Sequence, residues 1–224
     1  MGCEMSRESG KLNEEAAILS VEKLLAFENI DCKEIDNAFS RFASGNYIKP
    51  RQLEVAFETL RIPVNSMKNP PMCDFLKALE EGEKGYPLKK MVCCGILLGK
   101  GTPKEKGELF MNNYDRDCSG EIDAEEFKFM INDMYDVSVK TFIEVAKVND
   151  KQMIDILNEY GKRFKRAQKL FHIYVQFIMT MGKENEIITR NNFLETFEDP
   201  SMINLSSTSG IRKMILELYN IQGT

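Results

Sequence analysis

Asp115-Arg116-Asp117-Cys118-Ser119-Gly120-Glu121-Ile122-Asp123-Ala124-Glu125-Glu126 is the stretch on which the reading of this chain turns. Oxygen-bearing side chains recur at its first, third, fifth, ninth and twelfth positions, as Asp115, Asp117, Ser119, Asp123 and Glu126. Glu121, at the seventh, offers its backbone carbonyl. Gly120 stands at the sixth, where the chain must turn sharply enough to favour a positive φ. In a tightly turned loop, alternate residues aim their oxygens at one centre, and a long Glu beginning the next helix reaches back to close the shell. A hard divalent cation with about six to eight oxygen ligands needs such an arrangement. An ordinary acidic turn before a helix asks only for an Asp cap and a Glu in the first turn. It does not ask for five side-chain oxygens in alternation, the glycine, and an apolar Ile122 after it.

The flanks extend the pattern. Phe110, Met111 and Tyr114 precede the loop, and Phe127, Met130, Ile131 and Met134 follow it at helical spacing, giving each side an apolar stripe. Helix, calcium loop, helix, with a tying Ile122, resembles an EF-hand. The resemblance implies a metal site of Asp115, Asp117, Ser119, Glu121, Asp123 and Glu126 for one Ca2+, with Mg2+ as the resting occupant. Four acidic ligands imply an affinity of about 10⁻⁷–10⁻⁵ M.

One such unit cannot bury both stripes, so partners are expected. Ala38–Leu53 has the apolar ends of a shortened hand, with Gly45 and Ile48 in its turn and no carboxylate at the ligand positions. Phe75–Leu98 is a second, turning at Gly85, Tyr86, Pro87 and Leu88. Phe177–Phe197 is a fourth, its loop running from Met181 to Asn192 with Gly182 and Ile188. The tying residues Ile48, Leu88 and Ile122 are 40 and 34 residues apart, whereas Ile122 to Ile188 is 66. Roughly 25–30 additional residues therefore precede the fourth unit, expected as helix over Val137–Val148 and from Asp150 to Thr180, with Gly161 as the candidate break.

The chain thus resembles the calmodulin superfamily over residues 35–200. The expected fold is all-α: two EF-hand pairs, three hands degenerate, with a short two-stranded ribbon in each pair. Ile48 is expected to pair with Leu88, and Ile122 with Ile188. The divisions are 1–30 (amino-terminal segment and helix), 31–100 (degenerate pair), 101–200 (pair with the intact loop, insert about 137–165) and 201–224 (tail or helix). Lys100–Pro103 is the link between two lobes.

At 224 residues, 43% hydrophobic, the chain has ample material for a core. A net charge of −5 argues against nucleic-acid binding. No apolar run reaches the ~18 residues of a membrane span, and no secretory leader is visible. Six cysteines without CxxC spacing, and one histidine, give no zinc set and read as reduced thiols. With one His and no phosphate loop, no catalytic constellation is expected.

Met1-Gly2-Cys3-Glu4-Met5-Ser6 fits N-myristoylation at Gly2, with Cys3 beside it for palmitate. One acyl chain binds membranes only marginally and two hold, so Cys3 matters. Acylated calcium sensors of the recoverin and calcineurin B type combine these signals. The resemblance implies a cytoplasmic, peripheral membrane protein that binds a partner's amphipathic helix on Phe110, Met111, Phe127, Met130 and Met134. The alternative is a structural subunit of a cytoskeletal or ciliary assembly. Lys162, Arg163, Lys165, Arg166 and Lys169 form a basic helical cluster, read as a solvated face or a docking face.

Overall fold

Three prolines and a row of polar caps set where the helices start. The computed structural model describes residues 4–180 and 187–222. Within them lie eleven α-helices: α1 (Glu4–Leu24), α2 (Cys32–Phe42), α3 (Pro50–Thr59), α4 (Pro70–Leu79), α5 (Leu88–Leu98), α6 (Pro103–Tyr114), α7 (Ala124–Tyr135), α8 (Phe142–Asn149), α9 (Ile154–Met179), α10 (Arg190–Glu198) and α11 (Thr208–Gln222). Helices α3, α4 and α6 begin on Pro, whose missing N–H costs nothing at that position. Asp31, Thr102, Asp123 and Thr189 accept backbone N–H bonds as caps of α2, α6, α7 and α10.

The helices form four helix–loop–helix units, α2–α3, α4–α5, α6–α7 and α9–α10. The loops meet in pairs through two-residue antiparallel ribbons: β1 (Tyr47–Ile48) with β2 (Tyr86–Pro87), and β3 (Glu121–Ile122) with β4 (Ile188–Thr189). Ile122 faces Ile188 as expected. In the other ribbon Ile48 faces Tyr86, not Leu88. The cause is local: Pro87 caps α5 and Leu88 is already its first residue, donating its N–H to Asn46 O at 2.9 Å. Gly85, at φ +92°, makes this register feasible, because a Cβ there would stand 2.5 Å from Ile48 O.

The expected insert has more structure than helical periodicity shows. Helix α7 runs into a π-helical turn, Asp136–Thr141, and on into α8. A 3₁₀ turn, Lys151–Met153, reverses the chain into α9, which passes Gly161 unbroken and continues as the entering helix of the fourth unit. Of the carboxy-terminal segment expected as tail or helix, Ile203–Ser206 form a 3₁₀ turn and Thr208–Gln222 form α11, which packs along α9.

Two lobes on a short link were expected, but one continuous core spans both halves. Phe27, Phe39 and Phe57 pack with centroids 6.2–6.3 Å apart in the amino-terminal half. Phe110 stacks on Phe197 at 5.8 Å in the other. Phe75 of α4 stacks on Phe142 of α8 at 5.7 Å and joins them. The link is itself paired, with Cys32 N donating to Lys100 O and Lys100 N to Ile30 O, both at 2.8 Å. The insert and α1 supply the apolar surface that fuses the halves, since α8 packs on both α1 and α4.

Candidate metal centre

The loop between α6 and α7 closes around carboxylates. Asp115, Asp117 and Glu126 each bring one carboxylate oxygen within 4.8 Å of the others. Such crowding of like charge is unfavourable unless donors or a cation compensate it. Backbone N–H groups supply part of that compensation. Ser119 N and Gly120 N donate to the two oxygens of Asp115, each at 2.9 Å, and Ser119 N also donates to Asp117 Oδ1 at 3.0 Å. The bonds from Ser119 hold the exposed Asp117 carboxyl below its ordinary pKa. Gly120 sits at φ +80° and Cys118 at +58°, the turn that brings alternate side chains to one side.

Glu126 is 4% exposed although it is a carboxylate. Its Oε1 accepts from Arg116 N at 2.6 Å and its Oε2 from Asp123 N at 3.2 Å, while Asp123 Oδ1 accepts from Glu126 N at 2.8 Å. This reciprocal cap starts α7 and aims the Glu126 carboxylate into the loop. Ser119 Oγ accepts from Glu121 N at 3.2 Å and lies 3.4 Å from Glu121 O, so the fifth and seventh oxygens are adjacent.

Of the six residues expected as ligands, Asp115, Asp117 and Glu126 converge directly. Ser119 and Glu121 line the same turn. Asp123 serves the helix cap and stands outside the convergent group, as a ninth-position residue does when it reaches a cation through water. An all-oxygen set of carboxylates, hydroxyl and carbonyl fits a hard cation and lacks the nitrogen or sulfur that zinc prefers. Among the described residues this is the one group of three or more His, Cys, Asp or Glu side chains placed to hold a metal.

Several features around the loop were not legible in its spacing. Tyr114, the last residue of α6, donates its hydroxyl to Asp133 Oδ2 of α7 at 2.8 Å, across the two flanking helices. Burial raises the pKa of both groups. Asn113 Nδ2 donates to Asp36 Oδ1 of α2 at 3.0 Å, and Lys89 of α5 donates to Asn113 O, tying the end of α6 to the other half. Arg190 of α10 donates its backbone N to Gly120 O at 3.3 Å and Nη1 to Asn112 Oδ1 at 3.2 Å. The Arg116 guanidinium lies 5.4 Å over the exposed Phe129 ring. The adjacency of Tyr114 to Asp115 was the available signal; the partners, from distant segments, had none.

The five apolar residues expected to line a groove that opens on calcium binding are covered in this structure. Phe110, Met111, Phe127, Met130 and Met134 are all buried in the common core. Phe197 of α10 covers Phe110, and α9, α10 and α11 close over the α6–α7 unit. Gly2 and Cys3, the expected acylation sites, lie outside the described residues, as does Met181–Glu186 of the fourth loop. Among the described residues no helix is long and apolar enough to cross a membrane. No protein-family model, no curated protein and no solved structure matches this chain.

Proposed function

We propose that this is a calcium-binding protein of the EF-hand type, with one working loop at Asp115–Glu126, acting as a calcium-responsive adaptor for a partner protein. The observation that carries this reading is the convergence of Asp115, Asp117 and Glu126 in a twelve-residue loop, bridged through β3 to a second helix–loop–helix. Calcium is preferred over magnesium because the shell is built from many loosely spaced protein oxygens, with a glutamate able to give both of its own. The remaining units serve as scaffold; the first lacks carboxylates in its turn. Acylation at Gly2 and Cys3 would tether the chain to a membrane from the cytoplasmic side, and α1 would carry that tether into the core.

A second reading has its own support in the burial of Phe110, Met111, Phe127, Met130 and Met134. In it calcium stabilises a permanently closed fold, and the protein is a structural subunit of a cytoskeletal or ciliary assembly. Calcium titration by calorimetry, with a hydrophobic dye present in parallel, separates the two. The adaptor reading expects one ion per chain and a rise in dye fluorescence. One ion with no rise selects the structural reading, and no binding overturns both.

A further inference from the structure

Residues 140–169 carry eight Lys and Arg against four Asp and Glu, a local excess of positive charge in a chain of net charge −5. The fold arranges part of that excess around a groove of about 710 Å³ between the π turn with α8 on one side and α9 on the other. Lys140 and Lys147 stand on the first wall, Lys162 and Lys165 on the second, and the buried Val139 and Ile143 form the floor. Gly161 opens the middle of the groove: a Cβ there would meet only Ile143 Cδ1, at 3.9 Å.

We propose that this groove is the docking site for an acidic amphipathic segment of a partner protein. Its chemistry is double, with an apolar floor and rims that carry four lysines against one carboxylate, Glu144, so the occupant presents apolar side chains downward and carboxylates to both sides. From Asn158 to Gln168 the α9 wall extends about 15 Å, enough for roughly three turns of helix. Three of the lysines hold only same-helix carboxylates, Lys140 with Asp136 at 2.6 Å, Lys147 with Glu144 at 2.6 Å and Lys162 with Glu159 at 2.5 Å. The Lys162–Glu159 pair is exposed on both sides, so it is weak and exchanges readily for a partner's carboxylate. Lys165 has no ion-pair partner among the described residues. A bilayer fits less well: the site is concave, and the neighbouring hairpin tip exposes Asp150 and Asp155 beside Ile154 and Ile156.

The site rests on the partner-binding part of the proposed function and not on calcium. A phage-displayed library of random dodecapeptides, selected on the full chain, reads the groove directly. Enriched peptides are expected to carry Asp or Glu around apolar residues spaced three or four apart. Their synthetic forms should bind one per chain and lose at least about tenfold in affinity for K162E/K165E and for K140E/K147E. G161L, which fills the groove without touching its charge, should block binding while melting at or above the wild-type temperature. Enrichment without acidic residues, or equal binding to G161L, overturns the proposal. So does a dimer in sedimentation, or pelleting with 70:30 phosphatidylcholine:phosphatidylserine vesicles, that is lost in the lysine variants while no peptide is enriched. Peptide affinity that is equal in calcium and in chelator supports the groove and counts against the calcium-responsive reading.

Discussion

Arg212 of the last helix donates Nη1 to Glu22 Oε1 of the first at 2.7 Å, with the guanidinium fully buried. Its Nε and Nη2 hold Glu15 at 2.7–3.1 Å, and Nη1 also reaches Ser138 O of the π turn at 2.8 Å. Tyr160 of α9 completes the set through Glu15 at 3.1 Å. One cation therefore pins α1, the π turn, α9 and α11 together. Breaking a buried pair strands the opposite charge, so Arg212→Met should destabilise the fold by about 3–5 kcal/mol. Urea unfolding checks this, and an unchanged midpoint would contradict it. The same variant should expose α1 to limited proteolysis before the rest of the chain.

Glu126→Gln keeps the cap geometry but removes the charge from the one buried carboxylate of the loop. Outer-shell partners of metals are worth about 10–100-fold in affinity, and a direct ligand is worth no less. Calcium affinity by calorimetry should therefore fall at least about tenfold, with the helical circular dichroism retained. Equal affinity would remove Glu126 from the site.

The Tyr114–Asp133 bond clamps the two helices that flank the loop. In Tyr114→Phe a part-buried carboxylate loses its donor, at a cost of about 1 kcal/mol. If calcium drives these helices apart, the variant should open more easily and give a larger dye response at equal calcium. A response identical to wild type would mean that this pair does not gate the movement.

Gly85 and Gly120 both have positive φ but differ in their surroundings. A Cβ at Gly120 meets nothing within 4 Å, whereas one at Gly85 meets Ile48 O at 2.5 Å. Gly120→Ala should therefore cost only the backbone strain, about 1 kcal/mol, and Gly85→Ala distinctly more because the β1–β2 ribbon must also shift. Thermal unfolding of the two variants side by side tests the order.

His172 packs edge-on against Tyr135 and Phe171 with Nε2 buried and without a hydrogen bond. Desolvation lowers its pKa; Asp136 opposes that shift and Lys140 adds to it. Its neutral form is thus favoured in the fold. Its contribution to stability is fully present above the unfolded pKa of about 6.5 and is lost as pH falls through the lower folded value. Between pH 7 and 5.5 stability should decline, and His172→Phe should flatten that decline. An unchanged slope in the variant would assign the dependence elsewhere.

The amino-acid sequence alone determined the geometry of the acidic loop, the helical class and the pairing of Ile122 with Ile188. Each is local, or repeats a local pattern: the ligand positions fall within twelve residues, and an amphipathic period needs no knowledge of distant chain. Periodicity tells which face of a helix is apolar but not what covers it. Tertiary structure decided that Phe110, Met111, Phe127, Met130 and Met134 are covered, because α9, α10 and α11 close over them. It decided that two lobes share one core, because α8 brings Phe142 onto Phe75. It made Arg212, one of two adjacent cations (with Lys213) between Ile211 and Met214 in the sequence, the buried junction of four segments. It also set the walls of the lysine groove, because only the reversal at Lys151–Met153 brings Lys140 and Lys147 opposite Lys162 and Lys165.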